Sequence, residues 1–482
     1  MTNRHEDTPN PAAMTSTADT KLSLREKLSY GCGDFASCLF WAAFSNFLPL
    51  FYTDVFGITA AAMGMLFAVT RIFDAVVDPV VGMIADRTET RWGKFRPYLL
   101  WFCVPYAVFG VLMFTTPDYG PGGKLAWAYI TYCGMMAVYT AINIPYTSLL
   151  GVTTPDPIER TKLSSVKFVF AFAAGLVIKA ALPNMVPYFG HGNVARGWQV
   201  SFMIVAAVAV VFFLITFFGT KERVKPPAEQ KTSVGRDLMD LFTNGPWLVL
   251  LATTITFILF VAVRGAITGH YLKYYVGARD ILLPWNAEPR HYSFENIWSV
   301  FGPVGDAGSI VGVLFVGWFA GKVGKKAAFI MLFLAAIAST AAFYWLKPDQ
   351  INAMFVLQFV GSAVGGPLSV LLWAMYADTA DYGEWKKGRR ATGLVFSAST
   401  MSQKAGWAIG GWAVGGMLAS AGFVPNVVQS EQVTASLVKM MSLTPSLFGL
   451  IELGLFLFFP LNEKKMAVIE QELKARRAGA GG

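Results

Sequence analysis

Charge is scarce in this 482-residue chain: Asp, Glu, Lys and Arg make up 14% of it, against about a quarter in soluble chains. That shortfall excludes a disordered chain, a coiled coil and a nucleic-acid-binding tail protein. Cysteine is nearly absent as well. Cys32, Cys38, Cys103 and Cys133 lie inside apolar runs with no metal-ligand spacing, so no disulfide framework or CxxC site is expected, only thiols packed like small hydrophobes. None of the four histidines (His5, His191, His270, His291) falls mid-span. There is no P-loop, nucleophile elbow or His–Cys cluster. ATP-driven transport, metal catalysis and enzymatic activity in general are therefore unsupported, and no cofactor is expected. Residues 1–26 are polar, lack the short apolar core of a signal peptide, and read as a disordered cytoplasmic tail.

What the chain has instead is hydrophobicity, 55% overall with 15% aromatics. The apolar stretches are apolar all round and reach the roughly 20 residues a membrane-spanning helix needs. Six spans fall at roughly 28–52, 60–85, 97–116, 125–150, 163–183 and 198–219. Six more fall at roughly 246–269, 297–320, 327–346, 352–376, 391–421 and 442–461. Lipid offers no hydrogen-bond partners to the backbone, so each span must be a helix. The polar stretch 220–245 reads as a cytoplasmic linker between a 27–219 half and a 246–461 half, with 462–482 as a cytoplasmic tail.

The net charge of +9 sits mostly in short loops. Asp86–Arg96 carries four basic residues, Gly321–Lys326 three and Glu384–Arg390 four, whereas the loop after the first span carries none. By the positive-inside rule these basic loops, and both termini, are cytoplasmic. The external loop 277–296, with Pro284, Trp285 and His291, has no readable chemistry. The chain also repeats itself. VGMIADR at Val81–Arg87 and VGWFAGK at Val316–Lys322 end the second helix of each half, and each is followed by a Gly-Lys pair, Gly93-Lys94 and Gly324-Lys325. Two parallel six-helix halves are the architecture of major-facilitator transporters, with the substrate site between them near the midplane. The fold class expected is an all-α polytopic membrane protein of this kind.

Ionisable residues inside spans cost about 2.5–3.5 kcal/mol each on insertion scales and mark function by default. In RIFDAVVDPVVG, Arg71, Asp74 and Asp78 stand at i, i+3 and i+7 on one helical face. Two carboxylates one turn apart repel unless a cation or a shared proton lies between them, which is the chemistry of a coupling-ion site. A structural ion pair is the alternative. In YTAINIPYTSLL, Thr140, Asn143 and Thr147 share a face, and Pro145 frees a backbone carbonyl. These oxygens suit a small cation or a sugar hydroxyl, or simply close helix packing. Lys404 sits mid-span with Thr400 and Trp407 on its face. A cation, a hydroxyl and an aromatic plate suit a sugar ring, and pairing with an aspartate across the halves is compatible with that. Asp34, Arg160, Asp378, Asp381 and Glu384 stand at inner helix ends, where opposite charges could close the cytoplasmic side. Lys162 reads as ordinary interfacial charge and Arg264 as a snorkelling or functional residue. Asp306, among Gly302, Gly305 and Gly308, lies at a close helix contact with its role open.

LSYGCGDF, FYTDVFGI, RIFDAVVDPVVG, TRWGKFRPYLL, YTAINIPYTSLL, DYGEWKKGRRATG and the Lys404 helix occur in this order. Together they resemble the glycoside–pentoside–hexuronide:cation symporters, the major-facilitator family that includes melibiose permease, over roughly residues 22–461. The resemblance implies sugar uptake coupled to H+ or Na+ across a bacterial inner membrane. It implies that Asp74, Asp78 and Thr140 hold the cation, that Lys404 is the family's helix-eleven lysine, and that Lys167 takes the place of a basic helix-five residue that is often Arg. The candidate sugar set is Asn143, Thr147, Lys167, Thr400, Lys404, Trp407 and Trp41, and Arg71 is a candidate coupling residue. Three departures leave the sugar unnamed: family acidic positions fall on Asn143 and Cys38, and a tryptophan position falls on Thr147. Val77 stands where a relative has a polar group, removing one oxygen ligand, and protons are expected to drive transport with sodium weaker. A lysolipid or other amphiphile carrier of the same fold is the rival. The expected partners are a sugar and membrane lipids, with no nucleic acid, and the monomer is expected to be functional.

Overall fold

The computed structural model describes residues 22–154, 157–223, 242–282, 288–387 and 392–479. The N-terminal half comprises α1 (Leu24–Asn46), α2 (Ala60–Arg87), α3 (Arg96–Met113), α4 (Pro121–Thr153), α5 (Pro157–Gly190) and α6 (Val194–Gly219). The other half comprises α7 (Gly245–His270), α8 (Phe294–Val323), α9 (Lys325–Ala342), α10 (Ile351–Lys387), α11 (Thr392–Ser420) and α12, which runs in two pieces, Glu431–Met441 and Leu443–Leu457. A last helix, α13 (Glu463–Gly479), follows. Side-chain oxygens of Ser23, Thr59, Asn193, Asn244 and Ser293 accept backbone N–H groups at the starts of α1, α2, α6, α7 and α8, satisfying donors that have no partner within the helix.

Among the described residues ten helices are long and apolar enough to cross a membrane, and the bent first helix makes an eleventh. The remaining one, α11, carries Ser397, Ser399, Thr400, Ser402, Gln403 and Lys404 close together, a polar stretch that lowers its hydropathy. Among the boundaries that differ from those read in the sequence, three have a plain physical reason. The first span turns by 54° after Asn46, with Pro49 near the start of the new direction, and ends in a π turn, Phe51–Phe56. The twelfth begins at Glu431 rather than near 442: its first piece is amphipathic, with Val433, Leu437 and Met441 buried, and a hydropathy window dilutes such a helix with its polar face. Helix α10 continues to Lys387 through the polar stretch ADTADYGEWKK for the same reason. The external loop pairs Arg279–Ile281 with Arg290–Tyr292 as a two-stranded antiparallel ribbon, and His291 Nδ1 lies 3.0 Å from Asp280. Pro284 and Trp285 lie outside the described residues.

Within the first half, α1 packs on α5 and α6, and α3 on α4 and α6; in the second, α8 packs on α10 and α7 on α12. The halves meet chiefly through two helix pairs, α2 with α11 and α5 with α8, with a smaller contact of the first span on α7. The first crossing is tight. A Cβ at Gly415 would stand 2.5 Å from Ala60 O and 2.6 Å from Gly64 Cα, so only glycine permits the approach. The α8–α10 contact is likewise glycine-made, Gly308 lying against the Phe359 carbonyl, as the sequence suggested. One buried cluster runs from the first half into Val263, Ile267, Tyr271, Val414, Leu418 and Phe423 of the second. The other, including Trp247, Phe329, Leu372 and Phe456, stays in the second half. The shared core therefore lies at the end of the bundle away from the basic loops.

The basic loops show why the repeat exists. Gly93 has φ +111° and Gly324 φ +90°, a region only glycine enters freely. The Glu222 carboxylate accepts the N–H groups of Lys94, Phe95 and Arg96 at 2.8, 2.8 and 2.9 Å, at the positive end of α3. Glu463 occupies the matching place, accepting Lys326 N–H at 3.4 Å beside Gly324. Each half thus ties its third helix to the residue that follows its sixth.

Candidate functional site

Helix α2 carries Arg71, Asp74 and Asp78 inward, and α4 brings Thr140 opposite them. Thr140 Oγ1 lies 3.0 Å from Asp74 Oδ1 and 3.0 Å from Asp78 Oδ1. From the other half, α11 delivers Lys404, whose Nζ is 3.1 Å from Asp74 Oδ2 and hydrogen-bonded to Asp78 Oδ2. Arg71 Nη1 is 3.8 Å from Asp74 Oδ2, and its guanidinium lies over the Trp41 ring at 5.1 Å. Two carboxylates face two basic side chains, so the formal charges of the cluster balance. The two acids differ in access: the Asp74 side chain is 2% exposed and the Asp78 side chain 27%.

These groups form one wall of a cavity of about 490 Å3 between the halves. Of the residues singled out in the sequence, Asp34, Trp41, Arg71, Asp74, Asp78, Thr140, Asn143, Thr147, Lys167, Thr400, Lys404 and Trp407 all line it. Trp41 and Trp407 meet edge to face, ring centroids 5.8 Å apart. Asn143 donates to the Tyr139 carbonyl at 3.0 Å. Lys167 lies 3.7 Å from Asp34 and 5.6 Å from the Tyr146 ring. Asp34, read as a gating residue, is thus a cavity-wall residue paired with a helix-five lysine. Gln403, Tyr139 and Ser148 also line the cavity and were passed over in the sequence. Gln403 was findable, since it stands at i+3 from Thr400 and i−4 from Trp407.

The other gating candidates lie elsewhere. Asp378 pairs within its own half, with Lys325 Nζ at 2.5 Å, and Asp381 and Glu384 follow it along the end of α10. The side chain of Arg160 lies outside the described residues. At the same level Glu159 takes Lys27 at 2.6 Å and Lys162 at 2.9 Å. Those bonds, Lys27 first, hold the Glu159 carboxyl down at about 2. Lys162 is therefore more than interfacial charge. Arg264 does not snorkel: it points into the second half and donates to Thr340 Oγ1 at 2.6 Å and Gln358 Oε1 at 2.9 Å.

A latch between the halves was not read from the sequence. Asp54, in the π turn after α1, accepts from Lys273 Nζ at 2.5 Å and from Tyr274 OH. Asn426 donates to the Asp54 carbonyl at 2.6 Å and accepts from Lys273 at 2.8 Å. Thr53 Oγ1 lies 3.0 Å from Nε2 of the buried His270. The signal was an unnoticed repeat: FYTDVFG at 51–57 and YLKYYVG at 271–277 end the first helix of each half. Both form π turns closed by a glycine, of φ +83° and +68°. The two turns meet face to face, an acid on one and a lysine on the other.

Residues 29–463 match the profile of the family described as MFS/sugar transport protein. The chain belongs to that family. It is a multi-pass membrane protein with the major-facilitator fold. Members similar to it include the isoprimeverose transporter of Lactiplantibacillus pentosus, 37% identical over 97% of this chain and 96% of that one. The inner membrane symporter YicJ of Escherichia coli is 34% identical over 89% and 90%, and the glucuronide carrier protein homolog of the same species 30% identical over 95% and 97%. Among solved structures, the nucleoside transporter NupG superimposes with a TM-score of 0.63 at 14% identity, over 90% of this chain and 98% of that one. At that identity the likeness is one of fold.

Proposed function

We propose that this family member imports a sugar with a cation, by alternating access, across a bacterial inner membrane. Asp74, Asp78 and Thr140 form the cation site, and Lys404 is the link to sugar. The observation that carries this reading is the position of Lys404: an ammonium from one half rests on both carboxylates of the other, where a coupling cation would sit. A cation entering the pair must compete with Lys404. Protonation of Asp78, the more exposed acid, removes the charge that holds the lysine. Released, Lys404 can turn to a sugar hydroxyl beside Trp41, Trp407, Asn143, Thr147, Thr400 and Lys167. Cation and sugar then bind together better than either alone, which is the requirement for symport.

A proton needs one carboxylate. Sodium needs several oxygens at once, as hard cations do, and here they would have to come from the two carboxylates and Thr140, with Val77 supplying none and two cationic side chains competing. Protons are therefore the proposed driving ion, with sodium weaker. Hydroxyl and amide groups around two tryptophans suit a sugar; a lysolipid would want a wide apolar cleft. The names of relatives, an isoprimeverose transporter and a glucuronide carrier homolog, support a sugar substrate. The basic loops and both termini face the cytoplasm in this reading, the latch faces outward, and the monomer is the working unit.

The test is sugar-induced flux in vesicles with either a pH gradient or a sodium gradient imposed, using a glycoside panel and a lysolipid. Alkalinisation of the medium on sugar addition is expected. Strict sodium dependence without alkalinisation would refute the proton assignment, and lysolipid flux without sugar flux would refute the substrate class.

A further inference from the structure

A second cavity, of about 290 Å3, lies between α7, α8 and α10 of the C-terminal half and α5 of the N-terminal half, and shares no lining residue with the first. Its charged groups are Arg264, Lys179 and Asp306. Lys179 Nζ pairs with Asp306 Oδ1 at 2.7 Å across the α5–α8 contact. Asp306 Oδ2 is buried and has no hydrogen-bond partner. Arg264 faces only neutral groups: its guanidinium donates to Thr340 and Gln358 and lies over the Phe343 ring at 4.7 Å. Among the described residues no carboxylate comes within 4.0 Å of it. The cavity therefore carries one positive charge in excess, and a buried uncompensated charge is costly.

We infer that this cavity is a binding site for a small hydroxy-carboxylate of monosaccharide size, with Arg264 as its anchor. Two of the five guanidinium N–H groups are engaged by Thr340 and Gln358, which fix the plane of the fork, and the fork geometry matches a carboxylate. A bound carboxylate brings the cavity to neutrality. Asp306 Oδ2 is an acceptor without a donor, and a ligand hydroxyl supplies one. Trp298 and Phe301 give the flat apolar walls against which a polyol chain or ring packs, and Ser309 and Ser362 add further hydrogen-bonding groups. A charged anchor, a few polar groups and aromatic walls in a concavity are the composition of a small-molecule site. Asp74, Asp78 and Lys404 do not line this cavity, so the inference stands apart from the cation-coupled reading and falls or survives separately.

The experiment is isothermal titration calorimetry on the purified full-length protein, with D-gluconate, its neutral counterpart sorbitol, and chloride. Gluconate should bind, sorbitol at least tenfold more weakly, and chloride should fail to displace gluconate at equal concentration. Arg264→Gln should weaken gluconate at least tenfold. Because loss of a buried cation can disturb folding, a second variant fills the cavity without touching Arg264: Gly365 lines it, and a side chain there meets open space. Gly365→Leu should abolish gluconate binding while the protein keeps its monodisperse elution. Absence of gluconate binding, equal binding of sorbitol, equal competition by chloride, or gluconate affinity retained in either variant would each overturn the inference. None of these outcomes alters the flux test of the first cavity.

Discussion

Replacing Asp54 by alanine should open the outer face. In the structure Asp54, which accepts from Thr53 Oγ1 at 2.7 Å, is the charged N-terminal-half member of a network whose partners Lys273, Tyr274 and Asn426 belong to the opposite half. Its side chain is 2% exposed and that of Lys273 24%. Removing one partner of a buried pair costs about 3–5 kcal/mol; with Lys273 partly solvated, about 2–3 kcal/mol is the reasonable share. That cost falls on the latched state alone, because opening delivers both side chains to water. At about 1.4 kcal/mol per tenfold, the equilibrium should move roughly 30- to 150-fold toward the outward-open form. The assay is a distance measurement between spin labels at Tyr119 and Val428, 53% and 99% exposed on loops of the two halves, with Cys32, Cys38, Cys103 and Cys133 replaced. The long-distance population should grow in Asp54→Ala and in Lys273→Ala, and grow little further in the double variant. An unchanged distribution in the single variants, or two fully additive shifts, would refute the latch.

Asp78→Asn should abolish uphill sugar accumulation while sparing some sugar binding or exchange; normal accumulation by this variant in energised vesicles would sink the cation-site assignment. Lys404→Ala leaves Asp74 and Asp78 one cation short, with Arg71 still 3.8 Å from Asp74, and should lower sugar affinity or coupling by tenfold or more at equal folded-protein yield, measured by binding and by accumulation ratio. Gly415→Ala drives a methyl group into Ala60 O and Gly64 Cα, so the α2–α11 crossing cannot close and turnover should fall at least tenfold, with the same label pair reporting a wider outer face. The Glu159 carboxyl, with a pKa lowered from 4.5 to about 2, contributes stability that is fully present above about 4.5 and lost as pH falls toward 2. Between pH 5 and 8 the Lys27–Glu159–Lys162 clamp is therefore constant, and Glu159→Gln should shift the thermal midpoint by the same amount across that window.

Much of the site was legible because its residues violate the solvent they sit in. A carboxylate or ammonium in the middle of an apolar run has to face protein, and helical spacing says which neighbours share its face. That reasoning placed Asp74, Asp78, Thr140, Asn143, Thr147, Thr400, Lys404 and Trp407 around what is one cavity. It faltered at span ends, where a charge can reach water and carries no surprise. Asp54 and Lys273 were passed over for that reason, and Arg264 was granted a snorkelling route that it does not take. It faltered again wherever a helix is amphipathic: the first piece of α12 and the last turns of α10 average to low hydropathy although each packs one face.

The sequence by itself determined the membrane, the two halves and the chemistry available on each helix, because these follow from local quantities: run length against bilayer thickness, charge in loops, and spacing along a helix. The glycines that admit close crossings are in the sequence too, but not which backbone each of them meets. Pairing across the halves was decided only by the tertiary structure. Lys404 stands 326 residues from Asp78, Lys273 stands 219 from Asp54 and Lys179 stands 127 from Asp306. No periodicity relates such partners. They meet because α2 crosses α11, the outer ends of α1 and α7 pack together and α5 crosses α8, and those contacts are set by the packing of whole helix faces, a sum over many small contacts that no single residue announces.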